Sequence, residues 1–136
     1  MYKSILVPID LAHSDVGQAI IKRASALADN NASITLLHVI GDIPSYAQSY
    51  LPEGQLQENL EETTKALKAL SDAINVEAQA VVRYGSPSPV ILDEAVERGS
   101  DLIIIASHHP GIKDYLMGST ASRVVRHADC SVLISR

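Results

Sequence analysis

The chain has a single cysteine, Cys130, so it can form neither an internal disulfide nor a thiol metal cluster. It also lacks any apolar run of membrane-spanning length. Met1-Tyr2-Lys3-Ser4 leads straight into a strand-like segment rather than a signal peptide, so a cytoplasmic domain is expected. Positive charge is scarce, with 11 Lys+Arg against 16 Asp+Glu. The resulting net charge of −5 argues against a general binder of nucleic acid or anionic membranes. Apolar residues, by contrast, make up 46% of the 136 residues, enough for one core and too many for general disorder. A mass of 14.6 kDa leaves no room for two, and a single domain over residues 1–136 is expected.

Several catalytic signatures are missing too. No G-x-x-x-x-G-K-S/T loop supplies a lysine for phosphoryl transfer. No G-x-G-x-x-G follows the first strand, and no G-x-S-x-G nucleophile elbow occurs. A phosphate-receiving signalling domain would need an acidic pair after the first strand, an Asp after the third and a Lys at the last. Here Asp10 has no acidic neighbour, Tyr84-Gly85 follows the third strand and the last strand holds no lysine.

What is present is a regular alternation of strands and helices. Ile5 to Asp10 forms a short apolar run without clean alternation, as expected of a strand covered on both faces. Val16, Ile20, Arg23 and Leu27 follow helical spacing from Asp15 to Asn30, where Asn30-Asn31 ends the helix. Ile34 to Ile40 is a second strand, and a long connection over residues 41–55 carries Tyr46 and Tyr50. Leu56, Leu60, Thr63, Leu67, Leu70 and Ile74 advance by 4, 3, 4, 3 and 4, an amphipathic helix. Val76 to Tyr84 reads as a third strand, and Gly85-Ser86-Pro87 starts a helix that ends at Gly99. Leu102 to Ala106 is the most apolar strand and belongs at the centre of the sheet. A last helix opens at Gly118, and Cys130 to Ile134 is the fifth strand. Such an order predicts an α/β fold: one parallel sheet, helices on both faces and right-handed crossovers. Ligands in such sheets bind beyond the carboxyl ends of the strands, where the strand order reverses.

The loop after the fourth strand has the best chemistry for an anion. Residues 107–136 carry a net +2, whereas the preceding 106 residues carry −7. Ser107-His108-His109-Pro110-Gly111 is followed by Gly118-Ser119-Thr120-Ala121 at a helix start, where free amides and the helix dipole suit a phosphate. Ser119 is equally well placed to be a plain N-cap. Asp10 either contacts a ribose, base or Mg2+ or simply shapes the turn after the first strand. His108 and His109 are adjacent and make a poor metal pair. His38, within an apolar run, reads as a satisfied core histidine, and Cys130 as packing.

At these residues the sequence resembles the universal stress protein family along its whole length, most closely the short F-type bacterial branch. The pieces are Lys3 to Asp10, Leu36-Leu37-His38-Val39, Gly85-Ser86-Pro87, Asp101 to His108, Gly118-Ser119, and Arg126 to Leu133. The resemblance implies a three-layer α/β/α domain of the adenine nucleotide α-hydrolase-like kind, with strand order 3-2-1-4-5. It implies ATP as ligand, with or without Mg2+. Asp10 would meet the adenosine, with Pro8 and Ile9 beside it, and the Val39 backbone would pair with adenine. Ala106, Ser107, His108 and His109 would border ribose and phosphates, while Gly118, Ser119, Thr120 and Ala121 would hold the phosphates. It also implies a homodimer through residues 131–135, which fits the need to cover an apolar edge strand. ATP-binding members space their glycines as Gly, two residues, Gly, nine residues, then Gly-Ser/Thr. Here Ala106 and His109 replace the first two glycines, and eight residues separate His109 from Gly118.

Three functions are therefore weighed. The first is an ATP-binding regulatory module with slow or absent hydrolysis, in which the nucleotide orders loops that a protein partner reads. The second is a dimeric interaction protein of the same fold without a nucleotide. The third is an enzyme acting on an adenylate, with Asp10 or His108 as acid–base.

Overall fold

The computed structural model describes residues 1–107 and 118–136. Its five strands are β1 (Tyr2–Pro8), β2 (Ala28–Ile40), β3 (Gln79–Tyr84), β4 (Leu102–Ala106) and β5 (Ser131–Ser135). The helices are α1 (Ser14–Leu27), α2 (Ser45–Gln48), α3 (Gln55–Asp72), α4 (Pro87–Glu97) and α5 (Ser119–His127), with a 3-10 turn at Leu11–His13. All strand pairs are parallel, in the order β3-β2-β1-β4-β5, the order expected.

Alternation along each strand explains the layers. Ile5 and Val7 of β1 and Leu102 and Ile104 of β4 pack with Ile20, Ile21 and Ala24 of α1 and Leu67 of α3. Leu6, Ile103 and Ile105 turn to the other face, against Val90 and Ile91 of α4 and Ala121 and Val124 of α5. Successive residues of a strand thus feed two cores, which is why the inner strands read as unbroken apolar runs. Each fully buried aliphatic side chain contributes roughly 1.5–3 kcal/mol.

Several boundaries differ from the sequence expectation. Helix α1 stops at Leu27, because Ala28 is already extended (φ −81°, ψ 139°) and pairs with Tyr2. The β1–β2 register then shifts between Tyr2 and Ser4, so the exposed Asn30-Asn31 belong to β2 rather than to a helix end. Strand β3 begins at Gln79, three residues later than expected. The connection over residues 41–55 contains the short helix α2, on which Tyr46 is exposed.

Two polar ties frame the domain. The Asp101 carboxylate accepts the N–H groups of Lys3 and Ser4 at 2.9 and 3.0 Å, pinning the start of β1 to that of β4. Glu94 on α4, buried, takes Arg83 of β3 at 2.6 Å and Arg98 at 2.7 Å. Gly85 makes the β3–α4 turn at φ +147°, and a Cβ there would stand 2.7 Å from Val90 Cγ2. Pro87 occupies the first turn of α4 as expected, while Ser86 holds the N-cap position without a side-chain hydrogen bond.

Candidate functional site

The chain leaves β1 toward β2 on one side, and the crossover after β3 brings it back to β4 on the other. The carboxyl ends of β1 and β4 therefore splay apart, and a cleft of about 540 Å³ lies there.

The end of β1 supplies the first wall. Pro8 stands opposite Leu37, and the Ile9 N–H donates to Leu37 O at 2.8 Å. Asp10 is exposed, and one carboxylate oxygen accepts the Ala12 N–H at 3.0 Å, capping the 3-10 turn. Asp10 is thus a turn residue and a lining residue at once. Leu37, His38 and Val39 supply the second wall from the end of β2.

The third wall is the end of β4 and the start of α5. Ser107 is buried and donates its N–H to Ser135 O at 3.0 Å, which continues the β4–β5 ladder. Its own carbonyl accepts the Gly118 N–H at 2.6 Å, which ties the end of β4 to the start of α5. A Cβ on Gly118 would sit 3.3 Å from that same Ser107 oxygen, so the close approach favours glycine. Gly118, not Ser119, is the N-cap of α5; Ser119 is the first helical residue. Glycine has no side chain to cap with, and among the described residues no side-chain hydrogen bond caps this helix start. The first turn of α5 therefore lines the cleft with the positive end of its dipole, and among the described residues no side chain caps its amides.

The structure brings together Pro8, Ile9, Asp10, Val39, Ala106, Ser107, Gly118, Ser119, Thr120 and Ala121 around one cleft. His108 and His109 lie outside the described residues. Sequence reasoning missed His13, Gly17, His38 and Pro87 as lining residues. Gly17 was findable only in three dimensions: a Cβ there would meet Ile9 Cγ2 at 3.1 Å. His38 was read as a core residue; it is half-buried and hydrogen-bonded to Ile9 O, and it also lines the cleft. Cys130 packs against the α4–α5 core, and burial, followed by the charges of Asp101 and Asp129, pushes its thiol up, away from nucleophile chemistry.

Among the described residues the lining carries one carboxylate, Asp10, and no lysine or arginine. No group of three or more His, Cys, Asp or Glu among them could cage a metal ion. The arrangement offers backbone donors and hydroxyls at one end and apolar side chains at the other.

A doubly wound α/β domain with a cleft at its switch point, floored by an uncapped helix start, is a recognisable class of ligand-binding fold. The model of the universal stress protein family matches residues 1–136, and the chain belongs to that family. It is 30% identical to universal stress protein G of Shigella flexneri over 142 aligned residues, covering all of both chains. Among solved structures, the universal stress protein UspA from Lactobacillus plantarum superposes with a TM-score of 0.66 at 29% identity, covering 99% of this chain and 98% of that one. Two more distant structures share the fold. One is a universal stress protein in complex with cAMP (TM-score 0.73, 17% identity, 99% and 97% coverage). The other is a family protein from Arabidopsis thaliana with AMP bound (TM-score 0.61, 18% identity, 97% and 90% coverage). No described helix is long and apolar enough to cross a membrane.

Proposed function

We propose that this chain is an ATP-binding regulatory module of the universal stress protein family, acting in the cytoplasm as one domain of residues 1–136. The observation that carries the proposal is the uncapped start of α5, which opens into the 540 Å³ cleft between β1 and β4. Phosphates rest on the amides of Ser119, Thr120 and Ala121, with the two hydroxyls beside them. Gly118 lets them approach. The nucleoside lies across the ends of β1 and β2, with Pro8, Ile9 and Asp10 along the sugar and the Val39 backbone at the base. Ala106, Ser107, His108 and His109 border the sugar and phosphates. Family structures holding cAMP and AMP support a nucleotide as the ligand class.

Hydrolysis is slow or absent, because no P-loop lysine is available to stabilise a transferring phosphoryl group. Mg2+, where it takes part, would be held chiefly by the phosphates, as is usual for this ion, with Asp10 the one carboxylate lining the cleft among the described residues. Occupancy orders the segments around the cleft and alters a surface for a protein partner. Strand β5 lies at the edge of the sheet with Val132, Leu133 and Ile134 half-buried, and pairing with a second copy would cover it.

The test is direct. Protein purified without added nucleotide is denatured and its small molecules identified by mass spectrometry. Refolded or stripped protein is then titrated calorimetrically with ATP, AMP and cAMP. Saturable binding of an adenine nucleotide is expected. No binding at millimolar nucleotide would overturn the proposal in favour of a ligand-free interaction protein.

A further inference from the structure

We propose that His38 is a positioning residue for the nucleoside half of the cleft, an inference that rests on the nucleotide reading above. The β1–β2 ladder runs out at Pro8, which has no N–H to give. The Ile9 N–H to Leu37 O bond is its last backbone rung. Beyond it, the residues of β2 register with β3, His38 opposite Val82 and Val39 opposite Arg83. Ile9 is only 5% exposed, and among the described residues no turn or loop N–H reaches its carbonyl. The His38 ring fills that gap, with Nδ1 2.8 Å from Ile9 O.

A carbonyl can only accept, so Nδ1 carries the proton and the tautomer follows from the contact. The ring thus adds one side-chain rung to the ladder. Its placement is what matters. The Ile9 carbonyl and the Asp10 N–H belong to one planar peptide unit, so fixing the oxygen fixes the direction in which the chain enters Asp10. His38 is also the residue before Val39. With the Ile9 N–H to Leu37 O rung, this hydrogen bond therefore helps to set the gap between the two strand ends that the nucleoside must bridge. The phosphate end, built from β4 and α5, does not depend on it.

That division gives the test. ATP and inorganic tripolyphosphate are titrated into wild type, His38→Leu, His38→Gln and His38→Asn, with a thermal melt of each. Asparagine places its amide N–H near the position of Nδ1, whereas glutamine places its own near Nε2 and leucine has none. His38→Leu and His38→Gln should weaken ATP about fivefold or more, the scale of one lost hydrogen bond, and leave tripolyphosphate within about twofold of wild type. His38→Asn should restore ATP binding. The glutamine variant keeps the experiment decisive if leucine prevents folding. Equal weakening of both ligands would mean general destabilisation and would overturn the proposal, as would unchanged ATP affinity or failure of asparagine to rescue. Wild type that binds no ATP would overturn the nucleotide reading itself, a result separable from the others.

Discussion

Gly118→Glu separates charge from bulk at the start of α5. The backbone there (φ −64°, ψ 159°) is open to any residue, so no dihedral strain enters. The new Cβ would stand 3.3 Å from Ser107 O, and that backbone must give by a few tenths of an ångström. A carboxylate at a helix N-terminus recovers roughly 0.3–1 kcal/mol from the dipole. The folded state should therefore shift by less than about 1 kcal/mol in either direction. Ligand binding should respond very differently. A carboxylate about 5 Å from a phosphate charge repels it by roughly 3 kcal/mol at an effective dielectric of about 20. That corresponds to a loss of about 100-fold in affinity. Gly118→Gln has nearly the same bulk and no charge, so the ratio of Glu to Gln affinities isolates the electrostatic part. Calorimetric titration with ATP at low and high salt, with a thermal melt of each variant, makes the comparison. The glutamate defect should shrink as salt rises. Equal affinities for the glutamate and glutamine variants would show that no phosphate lies at this helix start.

Three further expectations concern the frame. Replacing both Arg83 and Arg98 by methionine strands the buried Glu94 carboxylate and should cost more stability in urea melts than Glu94→Gln, which removes the charge that needs partners. Burial pushes the Glu94 carboxyl up, but hydrogen bonds from Arg98 and Arg83 outweigh it; burial likewise raises Asp101, and the N–H groups of Lys3 and Ser4 outweigh that. Both carboxyls thus sit below their ordinary range, so their contribution is complete above about pH 5 and is lost as pH falls through the lowered values. Circular dichroism of Asp101→Asn should show a shallower acid transition than wild type. Gly85→Ala forces a Cβ to within 2.7 Å of Val90 Cγ2 at φ +147° and should cost about 1–3 kcal/mol, with Val90→Ala relieving part of it in a double-mutant cycle.

The parts of the fold legible in the sequence are those where side-chain chemistry repeats with the geometry. Leu102 to Ile105 is apolar at every position because both faces are covered, and α3 declares itself by its three–four spacing. The first residues of β2 were illegible for the opposite reason. Asp29-Asn30-Asn31 has the composition of a helix stop, yet the strand begins at Ala28 because its backbone pairs with Tyr2 across a register shift. The site was legible through topology, since strand ends at a switch point must line the crevice. The part played by His38 was not, because its partner is a main-chain oxygen 29 residues away that an apolar neighbourhood cannot reveal.

Alternation also bears on the two glycines that the family pattern leads one to expect and this chain lacks. Ala106 follows Ile105 on β4, so the two side chains leave the sheet on opposite faces. Ile105 packs with α4 and α5, whereas Ala106 packs with the core beneath α1. The methyl group at position 106 therefore lies on the far side of β4 from the start of α5. Ala106 still lines the cleft, but its methyl group leaves the strand on the α1 face and should take little room from a phosphate seated on the amides of residues 119–121. The donors themselves are main-chain groups, indifferent to side-chain identity except through bulk. Position 118 is different: there the chain closes to 2.6 Å on Ser107 O and a Cβ meets that oxygen. Under the nucleotide reading, glycine is therefore needed at 118 and dispensable at 106, and Gly118→Ala should weaken ATP binding while Ala106→Gly leaves it nearly unchanged.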